Sequence, residues 1–434
     1  MNNKILISIL TFSIFLVLII SLIPYDFNTM QNYAIKQTSN YDISLIQDFD
    51  FIPVDLKYIE NINSYFVLSL KGEMYKLNDL SDTPKLIFDF SELVKLSPTY
   101  SEGALGFAIH PNFSNNFKLY IFYVGKNSTN DFRSQIKISE FQYDLTTQSI
   151  DINSEVEIIK INQEKQDHQG GTLLFDDNGL LFISIGDGWT DESQNLNSLF
   201  GKILRINVDE KQTSQNYTIP FDNPYVGLDN TRAEIYAYGF RNPFRMSYDS
   251  SRDIIWVSDS GENTIEEINI LSKGGNFGWN ITEGNYCFNF PEVKELSECD
   301  TNNMIFPVAS YNHTRSNLIG GYATIGGLTY TGVSHPELVG KFIFGDYLER
   351  LFFLEEVNNN FDINFLLDFN SGNYLNSLST SKNNEIILLT YSGEIFELVK
   401  SNIYYLKIIV APIFLIGLII YIFKYYQKMP RFNE

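Results

Sequence analysis

Short apolar runs recur along this chain, with no helical period of comparable length between them. Tyr65-Phe66-Val67-Leu68 is the first, followed closely by Gly72 to Leu77. Lys118 to Tyr123, Leu180 to Ile185, and Ile254 to Val257 come next. Phe342-Ile343-Phe344 leads into Leu351 to Leu354, and Ile386 to Leu389 leads into Gly393 to Leu398. Gly, Asn or Asp turn residues bound each of the six runs, which lie roughly 45 to 90 residues apart. That spacing is too long and irregular for a simple meander. It suits one four-stranded sheet per unit, arranged radially, because radial packing covers both faces of every sheet. The pattern predicts an all-β fold, a six-bladed β-propeller of four-stranded antiparallel sheets, over residues 42–400. The alternative is a pair of β-sandwiches. Residues 280–320 form the longest insertion between units.

Two segments break this pattern at the ends. Ile5 to Ile23 is almost wholly apolar, follows Lys4, and is about 19 residues long, enough to span a membrane. No small-x-small cleavage site follows it, so residues 1–24 read as an uncleaved anchor, the alternative being a signal peptide. Ile408 to Phe423 is the second, flanked by Tyr404, Tyr405, Tyr425 and Tyr426 as interfacial aromatics. Residues 404–426 are therefore expected to be a C-terminal transmembrane helix. Lys424, Lys428 and Arg431 place the C-terminus in the cytoplasm and the propeller on the extracytoplasmic side of a cell membrane.

Composition narrows the partners. The 434-residue chain carries a net charge of −21, which repels a phosphate backbone and argues against nucleic-acid binding. Aromatic residues make up 15% of the chain and favour strands. Cys287 and Cys299 are the only cysteines; in an oxidising compartment they can close a small ring, the alternative being two free thiols. Of four histidines, His168 stands out. It lies between Asp167 and the pair Gly170-Gly171, where an imidazole can act as a base and a ligand can approach the backbone. Its plainer reading is a turn histidine bonded to backbone. His110, before Pro111, reads as a structural turn histidine, and Phe277 and Trp279 as packing residues. Asp187 either lines a sugar site or caps a turn.

Several motifs then occur together and in order. They are Glu102 to Phe113 with its Gly-Phe-Ala-Ile-His-Pro core, Asp167-His168-Gln169-Gly170-Gly171, and Leu199 to Ile206. Tyr238-Gly239-Phe240-Arg241-Asn242-Pro243, Asp259 to Asn269, Gly274 to Trp279, Gly320-Gly321-Tyr322 and Gly345-Asp346-Tyr347 follow. The chain from about Asp48 to Leu398 resembles the glucose/sorbosone dehydrogenase family. Its quinoprotein members are six-bladed propellers that use pyrroloquinoline quinone (PQQ) and Ca2+, and animal hedgehog-interacting proteins share the fold.

The resemblance implies a PQQ- and calcium-dependent dehydrogenase of a sugar or alcohol, oxidising the C1 hydroxyl by hydride transfer to the quinone. His168 is then the base, oriented by Asp167. Arg241 stabilises charge on the quinone, and Asn242 and Gln169 help hold it. The carbonyls of Gly261 and Glu262 would hold the cofactor's calcium, and Glu267, with the carbonyls of Phe277 and Glu283, a second calcium. An electron acceptor is the further partner. The other function the resemblance implies is a non-catalytic propeller that binds a glycan or protein ligand, as in the hedgehog-interacting type. The chain departs from the quinoprotein pattern late in the sequence. A lysine expected near Gly345 to Leu348 is matched only by Arg350, and an expected arginine pair is replaced by the uncharged Gly372-Asn373-Tyr374-Leu375-Asn376.

Overall fold

The computed structural model describes residues 40–97, 101–127, 133–289, 292–314 and 316–401. The expected membrane segments, 1–24 and 404–426, lie outside the described residues. Among the described residues, no helix is long and apolar enough to cross a membrane. Tyr41–Val399 forms one compact unit.

That unit is a ring of antiparallel sheets, a β-propeller. Blade 1 is Pro53–Ile59, Ser64–Ser69, Glu73–Leu77 and Lys85–Asp89. Blade 2 is Ala104–Ile109, Lys118–Gly125, Ser134–Asp144 and Val156–Gln163, with the short Ser149–Ile150 appended. Blade 3 is Gly170–Phe175, Leu181–Ile185, Lys202–Ile206 and Ile235–Tyr238. Blade 4 is Pro243–Asp249, Ile254–Asp259, Ile265–Ile270 and Ala309–Asn312. Blade 5 is Thr324–Thr329, Phe342–Asp346, Arg350–Val357 and Asn360–Asp368. Blade 6 is Leu375–Thr380, Ile386–Thr390 and Glu394–Lys400, completed by Tyr41–Asp48 from the start of the unit. The first strands touch in cyclic order, blade 6 against blade 1, so no blade edge is left open along the axis. Pairing the earliest strand with the last closes the ring.

The six apolar runs seen in the sequence are the second strands, one per blade. Ser64–Ser69, Leu181–Ile185, Phe342–Asp346 and Ile386–Thr390 are buried at every position. A strand covered on both faces needs no polar alternation, which explains the unbroken runs. Hydrophobic clusters fill the seams between neighbouring blades all the way round. Trp256 of blade 4, for example, stacks on Phe342 of blade 5 with ring centres 4.6 Å apart.

The insertion leaves blade 4 between its third and fourth strands. It forms a small sheet, Thr282–Glu283, Tyr286–Asn289 and Glu292–Lys294. A Cys287–Cys299 disulfide, rather than two free thiols, clasps it.

Candidate active site

The first strands of all six blades present their starts to one end of the axis. Val54, Leu105, Gly170, Phe244, Ile325 and Asn376, one from each, line a cavity of ≈ 170 Å³ there. Asp167, His168, Gln169, Asn242 and Arg245 add its polar wall, and Tyr347 and Tyr391 its aromatic one. A second cavity of ≈ 430 Å³ lies further along the same strands, and Arg245 lines both.

His168 is held in a backbone conformation unusual for a histidine, φ 57°. It sits just before Gly170–Phe175, where the chain enters that strand beside the end of its neighbour Leu181–Ile185. The approach is so close that a Cβ at Gly186 would run into the His168 carbonyl, so residue 186 must be glycine for this packing. Gly188 N–H donates to the same carbonyl at 3.2 Å. The turn points the imidazole at the end of the neighbouring strand, where Asp187 lies. His168 Nδ1 is 2.7 Å from Asp187 Oδ1. The carboxylate also accepts from Trp279 Nε1 (2.8 Å) and from the Trp189 backbone N–H (2.8 Å). Both of those partners can only donate, and each takes one of its oxygens. The imidazole must therefore donate as well, from a protonated Nδ1. Nε2 is left with its lone pair for a ligand in the cavity.

The expectation that Asp167 orients the histidine is corrected. Asp167 Oδ1 accepts only the His168 backbone N–H, at 3.3 Å, because the left-handed turn sends the imidazole away from its predecessor. Asp167 instead lines the cavity. Asp187 caps the Trp189 turn, one of its two expected roles, and also holds the imidazole. Trp279 is buried as expected and packs on Phe288, yet its indole N–H positions Asp187. Phe277 is a packing residue, stacked on Phe240 at 4.5 Å. His110 is structural: its Nδ1 accepts from the Asn112 backbone N–H (3.0 Å) and faces Asn116 Nδ2 (2.8 Å).

Arg241 and Asn242 are fixed by one buried carboxylate. Asp259 accepts the Arg241 N–H at 3.0 Å and the Asn242 N–H at 2.6 Å. Burial, with the Glu267 charge, pushes the Asp259 pKa well up, against these two hydrogen bonds. The Asn242 side chain reaches the cavity and accepts from Gly170 N–H at 3.0 Å. The Arg241 side chain does not line the cavity. Its guanidinium pairs with Glu262, donates to the Ser260 carbonyl at 3.1 Å, and lies over the Trp279 ring at 5.5 Å. It is thus connected to His168 through Trp279 and Asp187 rather than across open space.

Of the expected metal residues, Gly261, Glu262, Glu267 and Glu283 gather around the loop 260–265, whereas Phe277 packs on Phe240. Glu283, from the disulfide-clasped sheet, accepts four successive backbone N–H groups, those of Glu262, Asn263, Thr264 and Ile265. Glu267 is buried on blade 4; burial, aided by the Glu283 and Glu266 charges, pushes its pKa up to about 7. Its oxygens accept from Gly284 N–H (2.6 Å) and Asn269 Nδ2 (3.1 Å), while Asn269 Oδ1 beside it has no hydrogen-bond partner. A hard cation would relieve this concentration of buried acid. Among the described residues, no three His, Cys, Asp or Glu side chains converge as metal ligands.

For a quinone the cavity is better supplied. Gln169 is 3% exposed, and neither its Oε1 nor its Nε2 has a protein partner. A buried, unpartnered amide in a cavity wall is what a polar ligand would satisfy. With Asn242 and Arg245 also lining the cavity, the polar groups fit an acidic, planar quinone.

Comparisons with known proteins agree with this architecture. A family model described as Glucose / Sorbosone dehydrogenase matches residues 52–360. The HIPL2 protein of Arabidopsis thaliana is 37% identical over 193 residues, 41% of this chain and 28% of that protein. Quinoprotein glucose dehydrogenase B of Acinetobacter calcoaceticus is 27% identical over 274 residues, 58% of this chain and 55% of that one. The chain thus spans between about a quarter and just over half the length of these relatives. The apo crystal structure of the soluble aldose sugar dehydrogenase of Escherichia coli superposes with a TM-score of 0.71 at 21% identity, covering 83% of this chain and all of that one.

Proposed function

The chain belongs to the glucose/sorbosone dehydrogenase family, and on that premise we propose that it is a PQQ- and calcium-dependent dehydrogenase of sugars, oxidising the C1 hydroxyl in the axial cavity. The observation that carries this reading is the His168–Asp187 pair at a cavity wall with an unpartnered amide beside it.

His168 takes the proton of the C1 hydroxyl on Nε2, and Asp187 stabilises the imidazolium that forms. Asp187 also fixes the tautomer, since its own oxygens demand a donor at Nδ1. Trp279 and the Trp189 N–H hold that carboxylate in place. Gln169, Asn242 and Arg245 would hold the quinone, with Arg241 close behind. When bound, PQQ supplies the two-electron acceptor that the side chains lack. Calcium on the Gly261 and Glu262 carbonyls would add a Lewis acid at the cofactor, and the Glu267 region a structural ion. An external acceptor would then be needed to take up the electrons. We further propose that the two terminal apolar segments anchor the propeller on the extracytoplasmic face of a membrane, where a disulfide persists.

The ion pair of Arg241 with Glu262 favours a second reading, because it leaves that guanidinium less charge to offer a quinone. In this reading the protein is a non-catalytic propeller binding a glycan or protein ligand. One experiment separates the two. Full-length protein is incubated with PQQ and Ca2+, and aldose-dependent dye reduction is followed. Activity that is lost in His168→Asn supports the dehydrogenase; asparagine tolerates the left-handed backbone there, so the loop is preserved. No reduction with any aldose, together with no PQQ binding, supports the binding module.

A further inference from the structure

Arg245 carries a charge that its surroundings leave unmatched. Each of the other arginines among the described residues pairs with a carboxylate. Arg245 has no carboxylate at ion-pair distance; its guanidinium donates only to the carbonyls of Phe244 (3.1 Å) and Val54 (3.0 Å). Nearby Asp55 is already engaged by Lys57 at 3.2 Å and by the Phe107 N–H at 3.1 Å. Burial draws the Arg245 pKa down, with Asp55 and Tyr391 opposing, yet an arginine stays a cation. A desolvated guanidinium with donors to spare is thus set into the wall of the axial cavity, which the orphaned amide of Gln169 also lines.

We propose that Arg245 and Gln169 together form the carboxylate-binding subsite of the cavity, and that its occupant is a carboxylate of the quinone cofactor. This rests on the dehydrogenase reading and adds to it where the positive charge comes from. The late basic residues do not supply it. Residues 372–376 are uncharged, and Arg350 is 3% exposed, tied to Asp368 (3.2 Å) and to the carbonyls of Asn317 (2.9 Å) and Gly320 (2.8 Å). A guanidinium and an amide facing one space can donate to a carboxylate from two directions, a charge-assisted arrangement. An acidic sugar carries the same group, so the test must separate the two.

Full-length wild type, Arg245→Gln, Arg245→Lys and Gln169→Leu are titrated with PQQ, with its trimethyl ester, with glucuronate and with glucose, following tryptophan fluorescence. The expected result is that Arg245→Gln weakens PQQ about 10- to 100-fold, the size of a lost charged hydrogen bond, and leaves the ester nearly unchanged. Arg245→Lys falls between, because an ammonium keeps the charge and loses the planar fork. Gln169→Leu leaves the Val54 and Phe244 carbonyls bonded, so it remains decisive should Arg245→Gln fail to fold; it too should weaken PQQ more than the ester. Equal PQQ affinity in wild type, Arg245→Gln and Gln169→Leu would overturn the proposal while the dehydrogenase reading stands. So would Arg245-dependent binding of glucuronate with PQQ unaffected. Wild type that binds no PQQ at all would overturn both.

Discussion

Replacing Asp187 with asparagine removes one charge and nothing of the shape, and the consequences follow from counting donors. The carboxylate receives three hydrogen bonds, from His168 Nδ1, Trp279 Nε1 and the Trp189 N–H. Asparagine offers one oxygen and one NH2. With its oxygen toward His168 it keeps that bond and the Trp189 bond, and sets its NH2 against the Trp279 N–H. Flipped, it keeps Trp279 and sets its NH2 against Nδ1. The imidazole can then satisfy it only by moving its proton to Nε2, where the base should be. The first orientation costs at least one charged hydrogen bond, about 1.5–3 kcal/mol of stability. The second also strands the Trp189 N–H. In either case the imidazolium loses its counter-charge. Turnover should fall about 10²- to 10⁴-fold, the range of a disabled general base. Three assays check this: 15N NMR of the labelled histidines for the tautomer, urea unfolding for stability, and dye reduction for turnover. An Asp187→Asn protein with Nδ1 still protonated, unfolding like wild type and turning over at the same rate would refute the argument from donors.

Other predictions follow from the same contacts. Gly186→Ala should cost about 1–3 kcal/mol and displace His168, because the new methyl meets the His168 carbonyl; urea unfolding and the His168 NMR signal report it. Cys287→Ser with Cys299→Ser should destabilise the clasped sheet by about 3 kcal/mol, the loop entropy of a bridge across so short a segment. Hydrogen exchange should then speed up at the amides of residues 262–265, which Glu283 of that sheet caps; unchanged exchange there would separate the clasp from the site. Burial lowers the His110 pKa, although the exposed Asp209 beside it opposes this. The unfolded chain therefore binds the extra proton more readily. This contribution to stability is intact above about pH 6.5, the unfolded value, and is lost as pH falls through and below it. His110→Asn, which keeps an acceptor for the Asn112 N–H, should flatten that acid limb in unfolding measured at pH 7.5 and 5.5.

The six apolar runs made the propeller legible because the second strands are covered on both faces and so lack the polar alternation of a half-exposed strand. The first strands were not legible by the same signal. Thr324–Thr329 reads Thr-Ile-Gly-Gly-Leu-Thr, and Leu375–Thr380 reads Leu-Asn-Ser-Leu-Ser-Thr. These strands crowd round the axis and line its cavities, so small and polar residues replace the apolar ones a periodicity search looks for. The strands that build the site are thus the ones whose sequences look least like strands.

The same logic explains what was missed at the site itself. His168, Gln169 and Asn242 stood out because they belong to short motifs, and all three line the cavity. In the sequence the carboxylate nearest His168 is Asp167, but adjacent residues in a left-handed turn diverge. The partner comes from residue 187, brought across by an antiparallel pair whose register sets Gly170 opposite Ile185. That pairing makes the Asp-His motif and the Gly-Asp-Gly-Trp turn one structural unit, although nothing in either stretch alone announces the other. Trp279 enters from still further away, and the sheet that follows it reaches back through Glu283 to the loop carrying Glu262, the partner of Arg241. The insertion between the third and fourth strands of blade 4 is therefore not an ornament on one face. Through Trp279 it braces Asp187, and through Glu283 the loop whose Glu262 pairs with Arg241, which ties the geometry at His168 to the integrity of a disulfide more than a hundred residues away.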